Sequence, residues 1–154
     1  MPDWFTHTLF GWITGKTTKI NIALVVIGAL IPDLVKINLA FIWYSIDHHY
    51  FFEPIHTPFG AFIIAAIFAL FFKDSKKAFI ALGVGVTTHF ILDFLLVHVS
   101  GGIKFLYPLS WGEWQFYLIR PDDYWITIIA IIAALLVFLT YYLYNIKKNV
   151  KKVI

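Results

Sequence analysis

Cysteine is absent from the 154-residue chain, which removes disulfides and thiolate metal sites and leaves histidine, aspartate and glutamate as the available ligands. Charge is scarce too. Only 14% of residues are charged, where a soluble domain carries about 25%, and 60% are hydrophobic, so the natural solvent is a bilayer. Arginine occurs once, at Arg120, where Asp122 or Asp123 is the expected partner and a phosphate the alternative. No positively charged n-region precedes Phe5, so the N-terminus is expected to belong to the fold rather than to a signal peptide. No internal repeat, low-complexity tract or linker breaks the sequence, which predicts one membrane-embedded domain over 1–154. A second half repeating the first, the common mark of a transporter, is also missing.

What is present is a series of apolar runs separated by basic or aromatic connections. Phe5 to Ile13 is too short to cross ~30 Å of hydrocarbon and reads as a re-entrant or interfacial helix. Ile20 to Trp43 is long enough but is interrupted at Pro32-Asp33, where a kink or a restart is expected. A helix from Pro58 to Phe72 follows, then one from Ala78 to Val97, then the cleanest span, Tyr124 to Tyr144. The fold class is therefore all-α: an integral membrane bundle of about four transmembrane helices plus the short N-terminal helix. Between Gly102 and Asp123 lie Tyr107, Trp111, Trp114 and Tyr117, an aromatic content suited to the headgroup layer.

Lysines concentrate at 16–19, 73–77 and 147–152, while the other connections carry almost none. The positive-inside rule puts that set, including a basic C-terminal tail over 147–154, on the cytoplasmic side, and an anchor rather than nucleic-acid binding explains the tail.

Polar residues inside the apolar runs carry the functional signal. His89 and Asp93 are four residues apart, hence on one helical face, and a carboxylate in hydrocarbon costs on the order of 2.5–3.5 kcal/mol unless compensated. At 1.5 Å per residue, Asp33 lies ~21 Å from Lys19, while His89 and Asp93 lie ~18 and ~24 Å from Lys77. His56 starts its helix from the opposite side. These four should meet toward the outer leaflet, and His7, ~14 Å from Lys16, joins them if the first helix packs into the bundle.

Such a hard nitrogen-and-oxygen set suits zinc, with manganese or iron as further fits. Asp33, His56, His89 and Asp93 could bind one ion, with His7 holding a second beside a bridging Asp93 or Asp33. Zinc lowers the pKa of water to about 7, the chemistry of ester or phosphodiester hydrolysis, and Asp33 is the candidate base. Plainer readings stand beside this one. His89 and Asp93 could be a hydrogen-bonded pair tying two helices, His7 a packing histidine, and Asp33 a helix cap. His48, His49 and Glu53 read as a solvated loop, His98 as a headgroup contact and Asp3 as a solvated terminus.

Thr6-His7-Thr8-Leu9-Phe10-Gly11, Gly28-Ala29-Leu30-Ile31-Pro32-Asp33, His56-Thr57, His89-Phe90-Ile91-Leu92-Asp93 and Leu106-Tyr107-Pro108-Leu109-Ser110 together resemble the membrane-bound metal-dependent hydrolases of the LexA-regulated inner-membrane type. That family is distantly similar to the zinc-dependent phospholipases C. The resemblance implies His7, Asp33, His56, His89 and Asp93 as metal ligands and hydrolysis as the activity. One segment departs from it: His49 and His56 are separated by Tyr50-Phe51-Phe52-Glu53-Pro54-Ile55, with no arginine between them. The expected function is a zinc-dependent hydrolase of the cell membrane acting on a phospholipid or similar amphipathic ester, with membrane lipids as partners. The alternative is a non-catalytic scaffold or stress-response protein whose polar cluster only fixes the helices.

Overall fold

The computed structural model describes residues 4–37, 53–95, 97, 102–120 and 124–153. Asp3, His48, His49, His98, Asp122, Asp123 and the run from 38 to Trp43 lie outside these residues. Among the described residues the regular structure is helical, apart from one isolated antiparallel bridge between Ile103 and Trp114.

Helix α1 spans Trp4–Thr18, α2 Ile22–Leu30, α3 Pro58–Ala69, α4 Ser75–Leu95 and α5 Trp125–Val153. Two 3-10 turns, Pro32–Ile37 and Glu53–His56, separate α2 from α3. Four spanning helices were expected; among the described residues only α4 and α5 are long and apolar enough to cross a membrane. The shortfall has local causes. Pro32 has no amide hydrogen to continue α2, so the backbone tightens into a 3-10 turn after nine helical residues, a rise of only ~13 Å. Helix α3 starts late, with Thr57 capping the Gly60 N–H and Pro58 in its first turn, and has 12 residues. The N-terminal helix is longer than Phe5–Ile13, at 15 residues, because Thr14, Gly15 and Lys16 continue it rather than forming a turn. Helix α5 likewise runs through most of the basic tail.

Close backbone contact holds α1, α2 and α4 together. A side chain added at Gly28 would overlap the Leu82 carbonyl, and one at Gly85 the Val25 carbonyl, so α2 and α4 cross with their main chains touching. Ala61, Ala65 and Ala69 form a buried stripe on α3, which packs on α4. Helix α5 touches mainly α1. Two hydrogen bonds pin that pair, Thr6 to Thr127 at 2.9 Å and Tyr141 Oη donating to the Lys16 carbonyl at 2.9 Å, so the two helices run parallel. Between the pins lies an apolar groove of about 690 Å³, lined by residues such as Leu9, Trp12, Leu135 and Phe138.

The aromatic connection closes the far end of α4. Phe116 N–H donates to the Phe94 carbonyl at 2.8 Å, and Leu118 and Ile119 N–H donate to Leu95 at 3.1 and 3.0 Å, satisfying carbonyls that a helix C-terminus otherwise leaves without partners. Trp111, Trp114 and Tyr117 remain exposed, as an interfacial position requires.

Candidate metal centre

The five residues singled out from the sequence come together. Asp93 is the hub: its Oδ1 lies 3.3 Å from His7 Nε2, and its Oδ2 lies 3.0 Å from His56 Nε2 and 3.2 Å from His89 Nε2. His7 stacks on His89 with ring centroids 3.8 Å apart, so α1 does pack into the bundle. Asp33 joins His7 and His89 in an all-buried group whose ligand atoms lie within 4.8 Å of one another. His7, Asp33, His89 and Asp93 are each exposed by 2% or less, and only His56 is part-exposed.

Each side chain is placed by a definite backbone device. The Gly28–Gly85 crossing brings the Ala29 carbonyl to His89 Nδ1, 2.8 Å away. That carbonyl can only accept, so His89 carries a proton on Nδ1, and its Nε2 is the atom turned toward the centre. The arrangement matches the outer-shell orientation of metal-bound histidines. His56 ends a 3-10 turn locked by Thr57, whose hydroxyl donates to the Pro54 carbonyl at 2.7 Å while accepting from Gly60 N–H at 3.1 Å. Asp33 follows directly on the Pro32 break. His7 faces inward on the same stripe of α1 as Gly11, which lies against Ala29 and Val26.

The set fits a divalent cation by its geometry and chemistry. His56 Nε2, His89 Nε2 and Asp93 Oδ2 are mutually 3.0–3.3 Å apart. Ligands 2.0–2.2 Å from a tetrahedral zinc stand ~3.3–3.6 Å apart, so a slight relaxation admits the ion. His7 Nδ1 has no hydrogen-bond partner among the described residues, while its Nε2 faces the Asp93 carboxylate at 3.3 Å, a placement consistent with a ligand.

Sequence reasoning passed over Ala29 and Thr57, which act through a backbone carbonyl and a cap. It also missed Lys104, whose ammonium pairs with Glu53 one 3-10 turn from His56 and lies 5.0 Å from the Trp111 ring centroid. The Glu53 reading as a free solvated loop residue is corrected by that pair.

Fold and site together define a helical membrane protein with a buried His/Asp cluster at one end of its bundle. The profile of the YdjM inner membrane proteins matches residues 3–151, and the chain belongs to that family. Comparison with curated proteins and with solved structures finds no match.

Proposed function

We propose that the cluster binds zinc, one ion or two, and that the protein is a metal-dependent hydrolase of phospholipids or similar amphipathic esters, resembling the zinc-dependent phospholipases C. The observation that carries this reading is the triangle of His56 Nε2, His89 Nε2 and Asp93 Oδ2 at 3.0–3.3 Å, with His89 Nε2 turned inward by the Nδ1 contact to Ala29. Two electron-rich nitrogens and a carboxylate oxygen that close repel unless a cation or protons lie between them. His7, Asp33, His56, His89 and Asp93 would hold the metal. When bound, zinc supplies Lewis-acid polarisation of an ester or phosphodiester and acidifies water. Asp33 holds or accepts a proton beside the reacting bond, the apolar walls of α2 and α4 exclude bulk water, and part-exposed His56 marks the side from which substrate enters.

In this reading the lysine end of the bundle and the C-terminus face the cytoplasm and the centre faces the outer leaflet.

Near-complete burial of four of the five residues favours a second reading, in which the cluster only fixes the helices of a scaffold. Elemental analysis of detergent-purified protein separates the two stages of the claim. Zinc in stoichiometric amount, lost in a His89→Ala, Asp93→Ala double variant, is the expected result; no metal after zinc is added back overturns it. Turnover of lipid esters that Asp33→Asn abolishes while folding persists then distinguishes an enzyme from a scaffold.

A further inference from the structure

A basic cavity lies at the opposite end of the bundle. The turn after α1 and the turn before α4 meet around a cavity of about 500 Å³. Lys19, Lys73 and Lys77 stand around it with a single acid, Asp74, and apolar side chains including Leu24 and Phe72 complete its wall. Asp74 is already committed: its Oδ2 pairs with Lys77 Nζ at 2.8 Å and its Oδ1 accepts from Lys77 N–H at 3.2 Å. Lys19 and Lys73 pair with no carboxylate among the described residues. Helix α4 carries His89 twelve residues beyond Lys77, ~18 Å along its axis, so this cavity is separate from the metal centre.

Lys19 adds an independent observation. Its φ is 59°, in the left-handed region that glycine or asparagine adopts at least cost at a helix end. Lys19 holds that conformation at some local cost, and its side chain lines the cavity.

We propose that this cavity binds the phosphate headgroup of an anionic phospholipid, with an acyl chain along the Leu24 and Phe72 wall. The lining divides as such a ligand does: surplus positive charge at the rim, hydrocarbon beneath. Basic pockets between helices at a membrane surface recognise anionic headgroups in this way. The inference is independent of the hydrolase reading.

Native mass spectrometry of the full chain in detergent, titrated with palmitoyl-oleoyl phosphatidylglycerol, phosphatidylcholine or inorganic phosphate, tests it. Phosphatidylglycerol should be retained in preference to phosphatidylcholine, and inorganic phosphate should not displace it at equal concentration. Removing one lysine should weaken retention about fivefold, and Lys19→Gln with Lys73→Gln about 25-fold. Asp74→Asn should shift affinity in the opposite direction. Lys19→Gly should raise the melting temperature while lowering phosphatidylglycerol affinity, a split that a purely structural lysine would not produce. Equal retention of both lipids, an unchanged affinity in the folded double variant, or displacement by inorganic phosphate would each overturn the assignment.

Discussion

Helices α4 and α5 are both long and apolar enough to cross a membrane, yet they solve different problems. Over half of the apolar window of α4 is buried inside the protein (56%), against a tenth of that of α5 (11%). Helix α4 carries Gly83, Gly85, His89 and Asp93 and is surrounded by α1, α2 and α3. Helix α5 presents Ile128, Ile132, Leu136 and Leu139 outward, as a helix facing lipid does. Apolarity alone therefore does not tell a span that hosts a site from one that anchors the chain. Small residues and buried polar groups do.

The strongest way to break this contrast is to enlarge the α2–α4 crossing. Gly85→Leu should destabilise the protein by about 3 kcal/mol or more, or abolish its accumulation, because the new side chain meets the Val25 carbonyl rather than a yielding side chain. Thermal unfolding in detergent measures it. Next comes the hub. In chelator-treated protein, Asp93→Asn should cost about 1–3 kcal/mol, since it keeps the shape but sets an amide among the facing imidazole nitrogens of His7, His56 and His89. A variant as stable as wild type in that measurement would mean that the carboxylate contributes nothing to holding the helices.

Smaller effects belong to α5. Thr6→Val removes the bond to Thr127 and should cost about 0.6 kcal/mol, the average for hydrogen bonds between membrane helices, while Ile132→Ala on the outward face should stay within about 0.5 kcal/mol. If Ile132→Ala proved as damaging as a core truncation, α5 would have an undetected partner on that face.

The smallest effect is a matter of pH. The Lys77 side chain first, and the Lys77 backbone N–H second, hold Asp74 below the ordinary carboxylate range. A lowered folded pKa means that the contribution is present above the unfolded value of about 3.9 and fades as pH falls through the folded one. The difference in melting temperature between wild type and Asp74→Asn should be slight at pH 7, because the pair is fully exposed and screened, and should shrink as pH falls below the ordinary carboxylate range.

The candidate site was more legible in the sequence than the span count. His7, Asp33, His56, His89 and Asp93 are polar residues in apolar runs, and counting helical rise from the nearest lysines was enough to put them at one depth. The lysine clusters likewise gather at one end, where Lys19, Lys73 and Lys77 share a cavity. Helix lengths were harder to read. Hydrophobicity runs straight across Pro32, and only the backbone shows that α2 stops at Leu30 and continues as a tighter turn. The main-chain contact between Gly28 and Gly85 leaves a faint trace, the small residues Ala81 and Gly85 at a spacing of four. Nothing in the side-chain pattern marks Ala29, because what it supplies is a carbonyl.

That carbonyl exposes an economy in the six residues from Gly28 to Asp33. In an uninterrupted α-helix the Ala29 oxygen would receive the N–H of residue 33. Beside the break at Pro32, that oxygen meets Nδ1 of an imidazole on another helix. One short segment thus supplies the contact surface, the orienting acceptor, a helix break and a carboxylate for the candidate centre. Replacing the break with Pro32→Ala would reach all of these at once. Backbone irregularity and candidate ligand chemistry sit together in one short stretch, from Gly28 to Asp33.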